Sequence, residues 1–218
     1  MRARALAVSV IVLGSWLLFV EAVPLEAQAT TGASVARVAA LEGRASVVRF
    51  GSKVPVPLAV DARLFRADTV NTDADGKARI LFEDETAVTV AELTTLRITQ
   101  FPELARARSE TTRLTVLAGA VRVGVKPATV RSTVELWTAT AVAAVRGTEF
   151  LVDVTPDATG VAVLEGTVAV SNLRPEVRGS VLLGPGEGTD VRGDKPPTPS
   201  ARWGPARLRA LEQRTRLP

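Results

Sequence analysis

The stretch VAVLEGTVAV, residues 161–170, carries the pattern that decides the fold. Apolar residues alternate, a Leu precedes a Gly by two positions, and the alternation resumes after the Gly. The same pattern occurs earlier as VAALEGRASV at residues 38–47 and LTVLAGAVRV at residues 114–123. Alternation with a period of two is typical of a half-buried β-strand, and a Gly at a fixed place in it indicates a bulge, a tight bend or a close approach of two backbones. The pattern predicts a β protein.

The spacing of the repeat narrows the fold class. Its three glycines, Gly43, Gly119 and Gly166, are 76 and 47 positions apart, unlike the fixed short period of a solenoid. Turn signals such as Asp75-Gly76 separate further alternating segments along the chain. We therefore expect an all-β domain of about a dozen short strands, arranged as a compact β-roll, a short β-helix-like structure or a sandwich.

The composition excludes several kinds of chemistry. Among 218 residues, 46% are hydrophobic, which is enough for a globular core, and His, Cys and Tyr do not occur. A Cys/His metal site, a Ser-His-Asp triad, a thiol nucleophile and a disulfide framework are therefore impossible within this sequence. We expect no cofactor and no catalytic residue, and an enzyme is the least supported class of function.

The first 29 residues have the features of a signal peptide. Arg2 and Arg4 precede an uncharged apolar run at residues 6–20, and Ala27-Gln28-Ala29 offers a cleavage site before Thr30. An uncleaved inner-membrane anchor is the alternative, but 15 apolar residues are fewer than the roughly 20 that a spanning helix needs. We expect export to the periplasm or the medium, with membrane attachment only if this segment is not cleaved.

The positive charge is concentrated in the C-terminal tail. The net charge is +4, and residues 192–218 contain seven Lys and Arg against two acids. The domain at residues 30–192 is therefore nearly neutral, and no nucleic-acid partner is expected. In the tail at residues 193–218, three prolines predict a stiff linker, and residues 206–216 predict a short basic helix with Leu208 and Leu211 on one face. A solvated tail is favoured over one lying on a membrane.

An ordered set of motifs resembles the FecR domain family over about residues 38–191. The most specific motif is RGTEF at residues 146–150, followed by Glu165-Gly166. The chain departs from the family pattern in two predicted turns. Ala67 stands where a Gly often precedes the Asp, and DET at residues 84–86 replaces a more usual Asp-Gly-Ser. The other matching elements, in chain order, are Gly43, Leu64, DTVNT at residues 68–72, the hairpin at residues 75–82, LAG at residues 117–119 and LEGTV at residues 164–168.

The resemblance implies a domain that acts outside the cytoplasm. The best-known members are membrane-bound regulators of iron uptake, with a cytoplasmic anti-sigma segment, one transmembrane helix and this domain in the periplasm. No such cytoplasmic segment precedes the signal peptide, so we expect a stand-alone exported domain and no sigma factor as partner. An unknown envelope protein or ligand is the expected partner.

The resemblance marks eight motif residues, for which we expect a structural role. Arg146 has two interpretations: a guanidinium that binds an anion, or an internal pair with Glu149 or another carboxylate that fixes the turn around Gly147. The internal pair is favoured because burying an unpaired charge is costly. Thr148 would then form a local hydrogen bond. The eight residues are Arg146, Gly147, Thr148, Glu149, Phe150, Gly43, Gly119 and Gly166.

Three further groups of residues are weaker candidates. Asp68, Asp73 and Asp75, with Asn71, supply the oxygens that Ca²⁺ prefers, but their spacing is not that of an EF-hand and such residues are common in turns. Glu83 and Glu85 are paired carboxylates, but neighbouring acids in a turn are mostly solvated. Trp137 and Trp203 give little material for stacking on a sugar. No metal site is predicted.

Three hypotheses of function follow from these observations. The first is a non-catalytic extracytoplasmic module that binds a protein or ligand, or acts as a scaffold. The second is a signal-anchored component of envelope signalling. The third is a carbohydrate-binding protein. The first is favoured because of the ordered motifs and the lack of catalytic residue types.

Overall fold

A computed structural model describes residues 32–101, 110–126 and 132–217. The predicted signal peptide at residues 1–29 and its cleavage point before Thr30 lie outside the described residues. Within those residues, no helix has both the length and the apolar character needed to cross a membrane. The division of the chain at residues 29 and 192 stays a prediction.

The described residues form seventeen strands and one short helix, which confirms the all-β prediction. The strands outnumber the predicted dozen because several contain only two or three residues, too few to produce an alternation. In chain order the elements are β1 (Ala36–Glu42), β2 (Ala45–Val48), β3 (Pro55–Pro57), β4 (Arg63–Leu64), β5 (Thr69–Thr72), β6 (Lys77–Phe82), β7 (Ala87–Val90), β8 (Thr95–Gln100), β9 (Glu110–Gly124), β10 (Ser132–Trp137), β11 (Ala141–Val145), β12 (Glu149–Val154), β13 (Ala158–Glu165), β14 (Val168–Asn172), β15 (Ser180–Leu183), β16 (Glu187–Arg192), β17 (Ala201–Arg202) and α1 (Pro205–Arg214).

Hydrogen bonds link all seventeen strands into one open, mixed sheet that has two halves. The front half has the order β4-β1-β6-β7-β9-β12-β13-β16-β17. The back half has the order β3-β2-β5-β8-β9-β10-β11-β14-β15. Strand β9 belongs to both halves, and its pairing with β10 is the parallel one among these ladders. The long strand β9 is therefore the element that joins the two halves.

The two halves enclose one apolar core. Buried side chains of the front half, such as Ile80 and Phe150, belong to the same contact cluster as Leu96 and Leu114 of the back half. Along most strands buried residues alternate with exposed or half-buried ones. In β11, for example, Ala141, Ala143 and Val145 are buried, whereas Val142 and Ala144 are half-buried. Alternate side chains of a strand point to opposite faces, so each half turns one face to the core. Of the three predicted arrangements, this packing is that of a sandwich.

The repeated glycine motif marks corners where the chain passes from one half of the sheet to the other. Gly43 lies between β1 and β2, Gly119 lies within β9, and Gly166 lies between β13 and β14. All three have positive φ angles, of 57°, 89° and 82°. A side chain is strained in this conformation, and Gly is the residue that adopts it readily. The repeat is thus a corner motif, which agrees with a tight bend, one of the three interpretations that the sequence left open.

The two departures from the family pattern fall at turns with positive φ. Ala67 lies where the chain passes from β4 of the front half to β5 of the back half, and Glu85 lies in the β6–β7 hairpin within the front half. Ala67 has a φ of 66° and Glu85 a φ of 64°, both in the left-handed region. The turns are nevertheless formed: the Ala67 N–H donates to the Ile98 carbonyl at 2.8 Å, and the Glu85 N–H donates to the Phe82 carbonyl at 3.0 Å. This chain keeps the turn geometry and accepts backbone strain of about 1 kcal/mol at each position.

The C-terminal tail packs against the outer face of the front half, so the favoured solvated tail was wrong. Helix α1 buries Leu211, which is 4% exposed, in a small second cluster with Ala91, Ala120 and Leu151. The Trp203 ring lies over β13 and β16, where a Cβ on Gly160 would lie 2.9 Å from the Trp203 Cη2 and one on Gly188 would lie 2.5 Å from the Trp203 Cε2. The two glycines therefore provide the space in which the tail is seated.

Candidate functional site

The motif residues 146–150 do not form one site, because they span the turn between β11 and β12 and their side chains lie in different surroundings. Phe150 is fully buried in the core, and Thr148 is 3% exposed. Arg146 is exposed, and its Nε and Nη2 each donate to the Thr133 hydroxyl at 3.2 Å. Glu149 also faces outwards, but its carboxylate accepts a hydrogen bond from Nε of Arg122 on β9 at 2.8 Å and not from Arg146. The expected Arg146–Glu149 pair is therefore replaced by an Arg122–Glu149 pair.

The glycines of the motif are also divided among separate corners. Gly166 approaches the RGTEF segment closely, since a Cβ on it would lie 2.7 Å from the Gly147 carbonyl oxygen. Gly43 lies against Asp75, and Gly119 lies against Thr94. The Thr148 hydroxyl, expected to form a local hydrogen bond, has no partner among the described residues. The motif residues thus shape three bends of the sheet and contribute one outward carboxylate, Glu149.

The acidic candidates for calcium are divided between two arginines. Asp68 is fully buried, accepts from Nη1 of Arg49 and accepts from the Phe65 N–H at 2.8 Å. Asp73 and Asp75 lie 3.4 and 3.6 Å from Nε of Arg44 instead. Within the described ranges, no three acidic side chains come together as a metal site. Glu83 and Glu85 are exposed in their turn, and Glu85 lies 3.3 Å from Nζ of Lys126.

Each predicted tryptophan candidate already has an arginine on its ring. The Arg113 guanidinium lies 4.5 Å from the centre of the Trp137 ring, and the Trp137 Nε1 donates to Glu135 at 2.9 Å. The Arg207 guanidinium lies 3.4 Å from the centre of the Trp203 ring. A sugar would have to compete with these cation–π contacts for one ring face.

Ion pairs fix the tail beside the sheet. Arg207 donates to Asp190 of β16 at 2.9 and 2.6 Å, and this hydrogen-bonded carboxylate raises the pKa of Arg207 above its ordinary value. Arg214 donates to Glu92 at 2.7 Å and to Asp153 at 3.0 Å. Burial lowers the pKa of Arg214, but the hydrogen bond to Glu92 and the charge of Asp153 outweigh it and the net shift is upward. Both arginines therefore stay charged at any physiological pH.

The docked tail completes a pocket that the sequence did not predict. It has a volume of about 370 Å³ and lies between the outer face of the front half and the residues that follow α1. The lining contains three arginines and one carboxylate, which makes it predominantly positive. Alternation in the sequence indicates only that Arg79 and Arg122 face away from the core, and it does not bring them together. The lining residues are Arg79, Ala87, Thr89, Arg122, Gly124, Glu149, Thr215, Arg216 and Leu217.

Comparisons with known proteins agree with the motifs and the fold. Residues 68–169 match the family model described as FecR protein. Two crystal structures of a "putative anti-sigma factor" from Parabacteroides distasonis, at 2.50 and 1.65 Å resolution, superpose with TM-scores of 0.54 and 0.53 at 18% sequence identity. In both cases the alignment covers 66% of this chain and 64% of the length of the other. No curated protein matches the sequence.

At that identity the structural likeness concerns the fold alone, so the family assignment depends on the sequence motifs and the family model. The matched range contains RGTEF, Gly119 and Gly166. Residues 68–169 of this chain, just under half of its length, therefore match the FecR family in sequence.

Proposed function

We propose that this chain is a non-catalytic, extracytoplasmic binding domain that recognises a protein partner in cell-envelope signalling. The match to the FecR family over residues 68–169 supports a role in the envelope, and the fold is shared with a protein described as a "putative anti-sigma factor". The single observation that carries the proposal is a group of exposed apolar side chains at one edge of the back half.

Four large hydrophobic residues are exposed within eleven positions of the chain. Phe50 is 75% exposed, Val54 68%, Val56 47% and Val60 52%, and we call these four residues the apolar edge. Elsewhere in the described part of the chain, the exposed large hydrophobic residues are Leu93, Leu117 and Leu182, which lie far apart in sequence. Burial of apolar surface is favourable, and a local concentration of it on a soluble domain is typical of an interaction site.

Strand register explains why the side chain of Val56 is uncovered. Val56 on β3 lies directly opposite Val47 on β2, and paired residues of neighbouring strands project from the same face. Val47 is 1% exposed in the core, so Val56 continues the core-facing side of the sheet to its free edge. Val56 thus extends the core-facing side of the back half beyond the part that the front half covers.

The edge strand favours side-chain contacts over strand addition. Pro55 and Pro57 have no N–H, so β3 offers one backbone donor in three residues. A partner strand hydrogen-bonding to this edge would lack most of its donors. We therefore infer that the partner presents an apolar surface of its own and buries the valines and Phe50 against it.

Photo-crosslinking in living cells tests this proposal. A photoreactive residue at Val54 is expected to capture one reproducible envelope protein, whereas the same residue at exposed Arg97, on the outer face of β8, should not. With the captured protein purified, the double variant Val54→Ser, Val56→Ser should weaken its binding about tenfold or more, because two apolar contacts are lost. Equal capture at both positions, or unchanged affinity of the double variant, would refute the role of the apolar edge.

A further inference from the structure

The floor of the tail-completed pocket is made by two rows of paired residues on four neighbouring strands. In one row Arg79 of β6 is opposite Thr89 of β7, and Thr89 is opposite Arg122 of β9. In the next row Gly124 of β9 lies between Ala87 of β7 and Glu149 of β12. Residues two apart on a strand share a face, so both rows face outwards. Small side chains at the centre leave a depression with arginines at its sides.

The depression is wide enough for a ligand at its lowest point. A Cβ built on Gly124 would meet its nearest atom, the Ala87 carbonyl oxygen, only at 4.0 Å. The volume of about 370 Å³ lies within the range of small-molecule sites. The opposite wall is formed by Thr215, Arg216 and Leu217 of the tail. The pocket therefore exists only while the tail is docked.

The charge of the pocket is only partly balanced. Arg122 is paired with Glu149 at 2.8 Å. The guanidinium groups of Arg79 and Arg216 have no carboxylate partner among the residues described. The lining thus carries two uncompensated positive charges. Guanidinium groups bind carboxylate and phosphate oxygens through paired N–H donors, which gives both strength and geometric selectivity.

We propose that this pocket binds a small dianionic oxyanion, either a dicarboxylate or a phosphoryl group, held between Arg79 of the sheet and Arg216 of the tail. Arg122 supplies a third guanidinium beside them, and Glu149 holds it in position. Because one arginine comes from the sheet and the other from the tail, the ligand bridges the two parts of the protein. By linkage, binding of the ligand and docking of the tail stabilise each other.

Titration calorimetry on the full purified chain at low ionic strength tests the proposal, with inorganic phosphate and succinate as separate probes. We expect a dissociation constant of about 1 mM or below for at least one of them. Binding of phosphate alone identifies a phosphoryl site, and binding of succinate alone identifies a dicarboxylate site. The absence of saturable binding for both probes overturns the proposal.

Five variants test whether the anion binds in this pocket. Arg79→Gln and Arg216→Gln should each weaken it about tenfold through loss of a charged hydrogen bond, whereas Arg97→Gln on the back half should not change it. Gly124 lies in an extended strand with open space above it, so a leucine fits there without backbone strain. Gly124→Leu fills the pocket and should abolish binding. Glu149→Gln should tighten binding about threefold or more because a negative charge beside the anion is removed. Binding that Arg97→Gln lowers as much as Arg79→Gln is non-specific and contradicts the proposal.

Hydrogen exchange provides a readout that is independent of affinity. The Thr215 N–H, which donates to the Leu211 carbonyl at 3.1 Å, should exchange more slowly at saturating ligand. Amides of the back half should not respond. Unchanged exchange at Thr215 despite saturable binding would show that the anion does not bridge to the tail. The proposal concerns a surface separate from the apolar edge, so either can fail without the other.

Discussion

Replacing Gly119 with alanine is expected to destabilise the protein strongly, because two separate costs coincide at this corner. The first is conformational, since Gly119 has a φ of +89° and a side chain there costs about 1–2 kcal/mol. The second is steric. A Cβ on Gly119 would lie 2.6 Å from the Thr94 Cα and 2.7 Å from the Leu93 carbonyl oxygen, which are backbone atoms that cannot move aside alone.

The steric cost includes hydrogen bonds that a shift of Thr94 would break. The Thr94 hydroxyl accepts from the Ala120 N–H at 3.0 Å and lies 3.1 Å from the Glu92 carbonyl oxygen, to which it donates. Thr94 is 1% exposed, so water does not replace these bonds. Each is worth about 0.5–1.5 kcal/mol. With the conformational cost, we expect Gly119→Ala to lower the free energy of unfolding by about 2–5 kcal/mol, a large part of the stability of a typical domain.

Gly51 provides the matched control for this experiment. It has a similar φ of +78°, but a Cβ there would meet nothing within 4 Å. Gly51→Ala therefore incurs the conformational cost alone, partly offset by about 0.4–1 kcal/mol from a less flexible unfolded chain. We expect a loss within about 1 kcal/mol. Urea unfolding followed by far-ultraviolet circular dichroism measures both values. Equal losses for Gly119→Ala and Gly51→Ala would refute the argument that this corner is sterically closed.

Three further predictions concern the turn at Ala67, the C-terminal tail and the predicted signal peptide. Ala67→Gly should raise the free energy of unfolding by up to about 1 kcal/mol, because glycine relieves the strain of the positive φ. As the control, Ala59→Gly should lower the free energy of unfolding. A lower free energy of unfolding for both variants would contradict the strain at Ala67. Leu211→Ala should weaken the docking of the tail on the sheet by about 2–4 kcal/mol and speed hydrogen exchange in α1 alone. Arg209→Ala, at an exposed position of the same helix, is the control. Faster exchange throughout the sheet would contradict a tail that docks as a separate unit. N-terminal sequencing of protein from cell fractions should begin at Thr30 in the soluble envelope or the medium, and a chain starting at Met1 in membranes would favour the signal-anchored regulator.

Local sequence features predicted those parts of the fold that depend on neighbouring residues. Alternation in segments such as residues 161–170 identified strands, because burial on one face depends only on the direction of successive side chains. The glycines of the repeat identified corners, because the left-handed conformation is a property of single residues. The same reasoning found α1, with Leu208 and Leu211 on one side, but it did not find the surface that buries Leu211.

Predictions failed or were not made where the outcome depended on the pairing of strands that are distant in sequence. Arg146 and Glu149 are three residues apart, but they face different surroundings, and Glu149 instead meets Arg122 because β12 is registered against β9. The space that receives Trp203 of the tail also depends on the register between β13 and β16, in which Gly160 lies opposite Asp190 and Ala162 lies opposite Gly188. Nothing near the tail in sequence indicates that small residues on β13 and β16 provide room for Trp203.

The sequence by itself determined that this protein is built of strands, where its corners lie and which chemistries its residue types exclude. These properties follow from side-chain direction, backbone conformation and residue type, each of which is local. The tertiary structure alone decided that the halves of the sheet form a sandwich, that the basic tail docks, and that Arg79, Arg122 and Arg216 meet around one pocket. Such contacts arise from strand order and register over long separations, which depend on the packing of the whole core and not on the pattern of any single segment.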